Sequence, residues 1–140
     1  MGWLNMHLYE IRVRDVAWSD PDPEWDDDGP RDARQVRLAD LLGQGVKTLK
    51  YLYDFGDDWS HTIKLERIAD REPGIAYPRL VDAVGACPPE DSGGPWGYGD
   101  FLEAIADPAH ERHDELARWI GGPFALAKSW SRKPSARRRS

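Results

Sequence analysis

The stretch from Leu49 to Glu66 constrains the fold of this chain more than any other part of the sequence. Side chains alternate across a β-strand with a period of two, and this stretch keeps that period on both sides of Gly56-Asp57-Asp58. Glycine tolerates a positive φ and aspartate bonds to nearby backbone, so these three residues predict a tight turn. The stretch therefore predicts a central β-hairpin with one buried face, formed by the odd-numbered side chains Leu49, Tyr51, Tyr53, Phe55, Trp59, His61, Ile63 and Leu65.

Length and composition indicate one water-soluble domain. The chain has 140 residues, of which 40% are hydrophobic and 31% are charged, as is usual for a globular protein. No apolar run approaches the ~20 residues that span a bilayer, and no basic segment followed by an apolar run follows Met1. The single cysteine, Cys87, excludes an internal disulfide. We therefore expect a cytoplasmic protein without a membrane segment.

Charge divides the chain into two parts. Residues 128–140 hold six basic residues and no acidic residue, whereas residues 1–127 hold 13 basic against 25 acidic residues, a net charge of −12. We expect residues 1–127 to form the domain and residues 128–140 to be a disordered tail that is dispensable for folding. An acidic body repels a phosphate backbone, so any contact with nucleic acid is expected through the tail.

The remaining segments complete an α+β prediction. Alternation over His7–Val13 predicts a further strand, and the apolar spacing and capping residues predict helices at Phe101–Ile105 and Ala109–Ile120. Five glycines and three prolines in Gly85–Gly99 predict a loop. The predicted fold is a mostly antiparallel sheet around the hairpin, with the C-terminal helices packed on one face.

Two long motifs carry a resemblance to a known family. The runs Tyr53-Asp-Phe-Gly-Asp-Asp-Trp-x-His61 and Ala86-Cys-Pro-Pro-Glu-Asp-x-Gly-Gly-x-x-Gly97-Tyr98 resemble the plasmid pRiA4b ORF-3-like proteins. The resemblance covers residues 2–124 and implies membership of an uncharacterised bacterial family with a suggested link to recombination or mobile elements. Members of that family carry a strand and a helix before the segment that matches Gly2-Trp3, and this chain begins inside the pattern. We expect the missing elements to leave a sheet edge or an apolar face that a partner chain would cover.

The two motifs also supply the candidate ligand site. A loop so rich in glycine and proline stays ordered only if its large side chains pack elsewhere, because ordering a residue's backbone costs about 1–2 kcal/mol. We expect Trp96 or Tyr98 to pack on the hairpin end, which places the two motifs on one surface around a shallow cleft. The candidate ligand-binding residues are Asp57, Asp58, Trp59, His61, Glu90, Asp91, Trp96 and Tyr98.

The chemistry of this surface is left open between two classes. The main hypothesis is a non-enzymatic binding or interaction module without a cofactor, whose partner is a second protein or another copy of the chain. The alternative is a metal-dependent hydrolase or nuclease-like enzyme that uses the clustered carboxylates and His61. For a divalent metal the candidate ligands are His61, Cys87, His110 and His113, with His7 as a further donor. His110 and His113 would share a helix face because they are three residues apart.

Overall fold

A computed structural model describes residues 2–25, 28–124 and 129–131 of the chain. Five strands form one mixed sheet in the spatial order β3-β2-β1-β4-β5. All neighbouring pairs are antiparallel except β2 and β3, so the predicted mostly antiparallel sheet is confirmed. The five strands are β1 (Tyr9–Val13), β2 (Val16–Ser19), β3 (Arg31–Asp32), β4 (Thr48–Tyr53) and β5 (Trp59–Lys64).

The predicted hairpin is formed by β4 and β5, whose register places Tyr53 opposite Trp59. The turn begins at Asp54, which has a positive φ of 57°. Its Oδ1 accepts hydrogen bonds from the backbone N–H groups of Gly56 and Asp57, at 3.0 and 3.2 Å. An aspartate that bonds to residues two and three positions ahead stabilises a turn without any partner from elsewhere in the chain.

The odd-numbered face of the hairpin is the buried face, as the alternation predicts. Leu49 and Tyr53 are almost completely buried, whereas Lys50 and Thr62 on the opposite face are exposed. Phe55 was expected on the buried face, and that expectation is wrong because its side chain is 47% exposed. β4 ends at Tyr53, so the period of two no longer applies when the chain enters the turn.

Two apolar clusters lie in different parts of the molecule. The first lies where the sheet meets α1 (Leu38–Gly43) and contains the buried residues Val13, Trp18, Leu41, Val46 and Leu49. The second lies between α2 (Gly94–Ala106) and α3 (His113–Ile120) and contains the buried residues Phe101, Ala104 and Leu116. The predicted α+β class, with two helices in the C-terminal half, is confirmed.

The bounds of both C-terminal helices differ from the prediction. α2 begins at Gly94, well before Phe101, because Pro95 occupies its first turn, where a missing N–H costs nothing. α3 begins at His113 and not at Ala109. The intervening residues form turns instead, with the backbone N–H of Ala109 bonded to Asp107 Oδ1 at 2.9 Å.

A second, two-stranded sheet pairs β6 (Asp82–Val84) with β7 (Ser129–Ser131). The predicted tail, residues 128–140, includes β7 but otherwise lies outside the described residues. The prediction of a disordered tail therefore stays a prediction. Among the described helices, none combines the length and the apolar character that crossing a bilayer requires.

Candidate functional site

The two sequence motifs are in contact at the end of the hairpin. The backbone N–H of Gly93 donates a hydrogen bond to Asp57 Oδ2 at 3.0 Å. The ring of Tyr98 meets the ring of Trp59 edge to face, with 6.0 Å between their centroids. The expected packing of the second motif on the hairpin is therefore confirmed through Tyr98, whereas Trp96 is 89% exposed.

Glu90 fastens the second motif to two other segments. Its Oε1 accepts hydrogen bonds from the backbone N–H of Leu4 at 2.6 Å and from the hydroxyl of Tyr53 at 3.0 Å. The Glu90 side chain is only 11% exposed. Burial raises the pKa of Tyr53, and the hydrogen bond to Glu90 adds to that rise. The phenol therefore stays protonated and keeps donating to the carboxylate at neutral pH.

Asp54 brings a second buried carboxylate to the same place. Its Oδ1 is used by the turn, as described above, while its Oδ2 lies 3.6 Å from His7 Nε2. The Asp54 side chain is 11% exposed, like that of Glu90. The turn therefore fixes the orientation of the carboxylate and leaves one of its oxygens facing the imidazole.

His7 lies at the centre of the group. Its Nε2 lies 3.0 Å from Asp91 Oδ1 and 3.9 Å from Glu90 Oε2. This nitrogen is shielded from solvent. Despite the short distance to Asp91, it forms no hydrogen bond with any group in the described part of the chain. Asp91 is the open side of the group, because its side chain is 67% exposed.

Together, His7, Asp54 and Asp91 offer three metal-ligating atoms that all lie within 4.8 Å of one another. One imidazole nitrogen and two carboxylate oxygens form a donor set that binds divalent transition metals. The described lysines and arginines form no ion pair with Asp54, Glu90 or Asp91. Because buried carboxylates are costly without a counter-charge, a cation bound among these donors would stabilise the group.

His61 and Cys87, which were also predicted as metal ligands, are not part of this group, and each contacts a backbone atom instead. His61 Nδ1 lies 3.2 Å from the carbonyl oxygen of Tyr51, and the imidazole packs beside the Tyr51 ring at 5.4 Å. Cys87 Sγ lies 3.3 Å from the backbone nitrogen of Gly2. Asp58 lies in the hairpin turn with a positive φ of 56°.

His110 and His113 do not share a helix face, because α3 begins only at His113. His110 Nδ1 accepts a hydrogen bond from the backbone N–H of Arg112 at 3.1 Å, whereas His113 Nδ1 lies 2.9 Å from the carbonyl oxygen of Ala104. The helical spacing that suggested a paired metal site is therefore absent at these two residues.

Sequence reasoning missed Asp54 and treated His7 only as a substitute donor. Asp54 occupies an even position of the hairpin stretch, where the alternation predicts an exposed side chain. It is buried because the segment before β1 lies over the hairpin end, where the Trp3 ring stacks on Tyr53 at 5.0 Å. The only local sign of a special role for Asp54 was that a polar residue stands close to the start of the predicted turn.

A cavity of about 350 Å³ lies beside the exposed end of the group. Asp91 belongs to both, so the open side of the three-ligand arrangement adjoins the cavity. The other walls come from the end of the second motif, from α2 and from the start of α3. Its polar and aromatic lining includes Asp91, Ser92, Asp100, Phe101, Arg112 and Trp119.

Comparison with known proteins places relatives in both bacteria and archaea. The family described as plasmid pRiA4b ORF-3-like protein matches residues 1–130. The uncharacterized protein y4hQ of Sinorhizobium fredii is 57% identical over 122 residues, which are 86% of this chain and 62% of that protein. The crystal structure of the protein of unknown function MM3350 from Methanosarcina mazei Go1 is similar with a TM-score of 0.79 and 30% identity. That similarity covers 91% of this chain and 72% of the other.

Proposed function

The chain belongs to the plasmid pRiA4b ORF-3-like family, and we propose that it is a binding module for a divalent transition-metal cation held by His7, Asp54 and Asp91. The observation that carries this proposal is the convergence of their three ligand atoms within 4.8 Å. These residues come from three separate segments, so the arrangement exists only in the folded chain. A cation bound there would also join those segments and stabilise the domain.

The donor set narrows the choice of metal. Calcium and magnesium favour sites made of oxygen alone, whereas an imidazole nitrogen beside carboxylates suits zinc, manganese or iron(II). Glu90 lies beside the three donors, with Oε2 3.9 Å from His7 Nε2, but it is not part of the converging group. Its Oε1 is occupied by Leu4 and Tyr53, so Glu90 holds the site in shape even if it does not ligate the metal.

A metal-dependent hydrolase is the second candidate function, and the cavity beside Asp91 is the observation that favours it. Three protein ligands leave at least one coordination position open, and a metal-bound water there would ionise near neutral pH. The same cation would then act as a catalyst and not only as a structural ligand. In this mechanism His7, Asp54 and Asp91 would hold the cation, and Glu90 would hold the site in shape.

Association with DNA through residues 128–140 is a separate proposal, supported by the six basic residues in that segment. The acidic body carries no comparable basic segment. Binding of duplex DNA that weakens steeply with salt, and that disappears when the six basic residues are replaced by glutamine, would support it. Equal binding by both proteins would refute a role for the tail.

Calorimetric titration tests the metal proposal. Protein freed of metal by chelation is titrated with Zn²⁺ and, separately, with Mn²⁺. We expect one equivalent to bind, and His7→Gln and Asp54→Asn each to weaken binding at least about tenfold, since losing even outer-shell partners costs that much. His61→Gln is the matched control and should bind like the unaltered chain, because its imidazole lies apart from the group.

Two results would contradict the metal proposal. The first is no saturable binding of either metal by the unaltered chain. The second is equal loss of affinity in His61→Gln and His7→Gln with both variants folded by circular dichroism. If one equivalent binds, the loaded protein is then assayed with a phosphodiester and a carboxylic ester. Turnover that requires Asp91 would favour the hydrolase, and its absence would favour the binding module.

A further inference from the structure

The cavity beside Asp91 has an excess of negative charge. Its walls carry three carboxylates, from Asp91, Asp100 and Glu115, against a single guanidinium, from Arg112. Arg112 already contacts Glu115, with Nη2 at 3.4 Å from Oε1. Asp100 forms no ion pair with any group in the described ranges. An anionic ligand would therefore meet net repulsion here, whereas a cation would be attracted.

An aromatic wall completes the cavity. Trp119 is 48% exposed and lies on the cavity wall. Its ring meets the buried Phe101 ring edge to face at 5.8 Å, and this contact fixes its position. A cation over an indole face is attracted by the ring quadrupole. A half-exposed, positioned tryptophan beside Asp100, which is unpaired within the described ranges, is thus suited to a positively charged organic group.

We propose that this cavity binds a small organic cation that carries a protonated amine or a guanidinium. Asp91 and Asp100 supply the counter-charge, and Trp119 supplies the aromatic face. This ligand differs from the metal cation proposed above, and its site shares only Asp91 with the metal ligands. The cationic group belongs either to a separate molecule or to the chain's own arginines between positions 132 and 139.

Three probes of similar size, two cationic and one neutral, test the proposal on the full chain. N-acetyl-arginine amide and N-acetyl-lysine amide carry the cation, and N-acetyl-citrulline amide is the neutral analogue of the first. Tryptophan NMR resonances are followed in metal-free buffer at constant ionic strength. We expect saturable shifts of the Trp119 indole with the two cationic probes and none with the citrulline probe.

Variants then locate the site. Asp100→Asn and Trp119→Leu should each weaken arginine-amide binding about two- to fivefold, the usual effect of one exposed charge or one cation–π contact. Asp114→Asn, in the first turn of the same helix as Trp119 but outside the cavity, should leave the affinity unchanged. Equal shifts with the citrulline probe, or equal weakening in Asp114→Asn and Asp100→Asn, would overturn the proposal.

A further variant distinguishes the two sources of the cation. If the tail occupies the cavity, replacing the basic residues of positions 132–139 by glutamine should tighten arginine-amide binding. An unchanged affinity would assign the cavity to a separate ligand. His7→Gln separates this proposal from the metal site, because it should abolish metal binding and leave arginine-amide binding intact. Loss of both in that variant would overturn the independence of the two sites.

Discussion

The buried hydroxyl of Tyr53, at the end of β4, donates a hydrogen bond to Glu90 Oε1 at 3.0 Å. The same hydroxyl accepts a hydrogen bond from the backbone N–H of Met6 at 3.0 Å. One phenol oxygen therefore joins the segment before β1, the hairpin and the second motif. Since His7 follows Met6 and Asp91 follows Glu90, this bridge sets the distance between two of the three proposed metal ligands.

Replacement of Tyr53 by phenylalanine should destabilise the domain without opening a cavity. The variant removes the hydroxyl that joins the largely buried Glu90 carboxylate to the part-buried backbone N–H of Met6, and such a loss costs about 1–3 kcal/mol. Urea unfolding followed by tryptophan fluorescence measures this loss. The control is Tyr77→Phe, because the Tyr77 hydroxyl accepts an exposed hydrogen bond from the backbone N–H of Glu72. Equal losses in the two variants would show that the bridge is energetically unimportant.

Trp59→Ala should be one of the most damaging substitutions in the hairpin. The indole lies between the rings of Trp3 and Tyr98, with centroid distances of 5.5 and 6.0 Å. Removing it should cost about 3 kcal/mol in the free energy of unfolding, the lower end for a large aromatic because the side chain is half-buried. Lys64→Ala, on the exposed face of the same strand, should stay within about 0.5 kcal/mol. Similar small losses at both positions would contradict the assigned face.

The hairpin was predictable because the sequence pattern that specifies it lies within one short stretch of the chain. Alternation over a few residues identifies the buried face of β4, and a run of glycine and aspartate identifies the turn. The group around His7 was not predictable in this way, because it depends on where residues 7, 54 and 91 meet in space. The pairing of β6 with β7 has the same character, since its strands lie far apart in the sequence. The start of α2 was missed because its first turn is rich in glycine and proline, which predict a loop.

Alkaline pH should weaken the fold through its tyrosines. Burial raises the pKa of Tyr9 from 10.0 to about 12, and the hydrogen bond to Asp20 and the charge of that carboxylate add to the rise. A pKa that is higher in the folded state gives stability that is fully present below the unfolded value. This stability is lost as the pH rises from about 10 towards about 12. Unfolding in urea at increasing pH should show this decline, and Tyr9→Phe should make it shallower. A decline of equal steepness in that variant would contradict the role of Tyr9.

A pair of glycines in α2 tests the contact between the two motifs most directly. Gly94 has a positive φ of 68°, and a Cβ at this position would collide with the carbonyl oxygen of Asp57 in the hairpin turn. Gly94→Ala should therefore lower the free energy of unfolding by more than the ~1 kcal/mol that a strained left-handed residue alone costs. It should also weaken metal binding, because it displaces the segment that carries Asp91.

Gly99, later in the same helix, has open space around its Cβ position. Gly99→Ala should therefore stabilise the helix by roughly 0.5–1 kcal/mol. If both variants change stability in the same direction and by the same amount, the second motif does not rest on the hairpin turn as the structure shows.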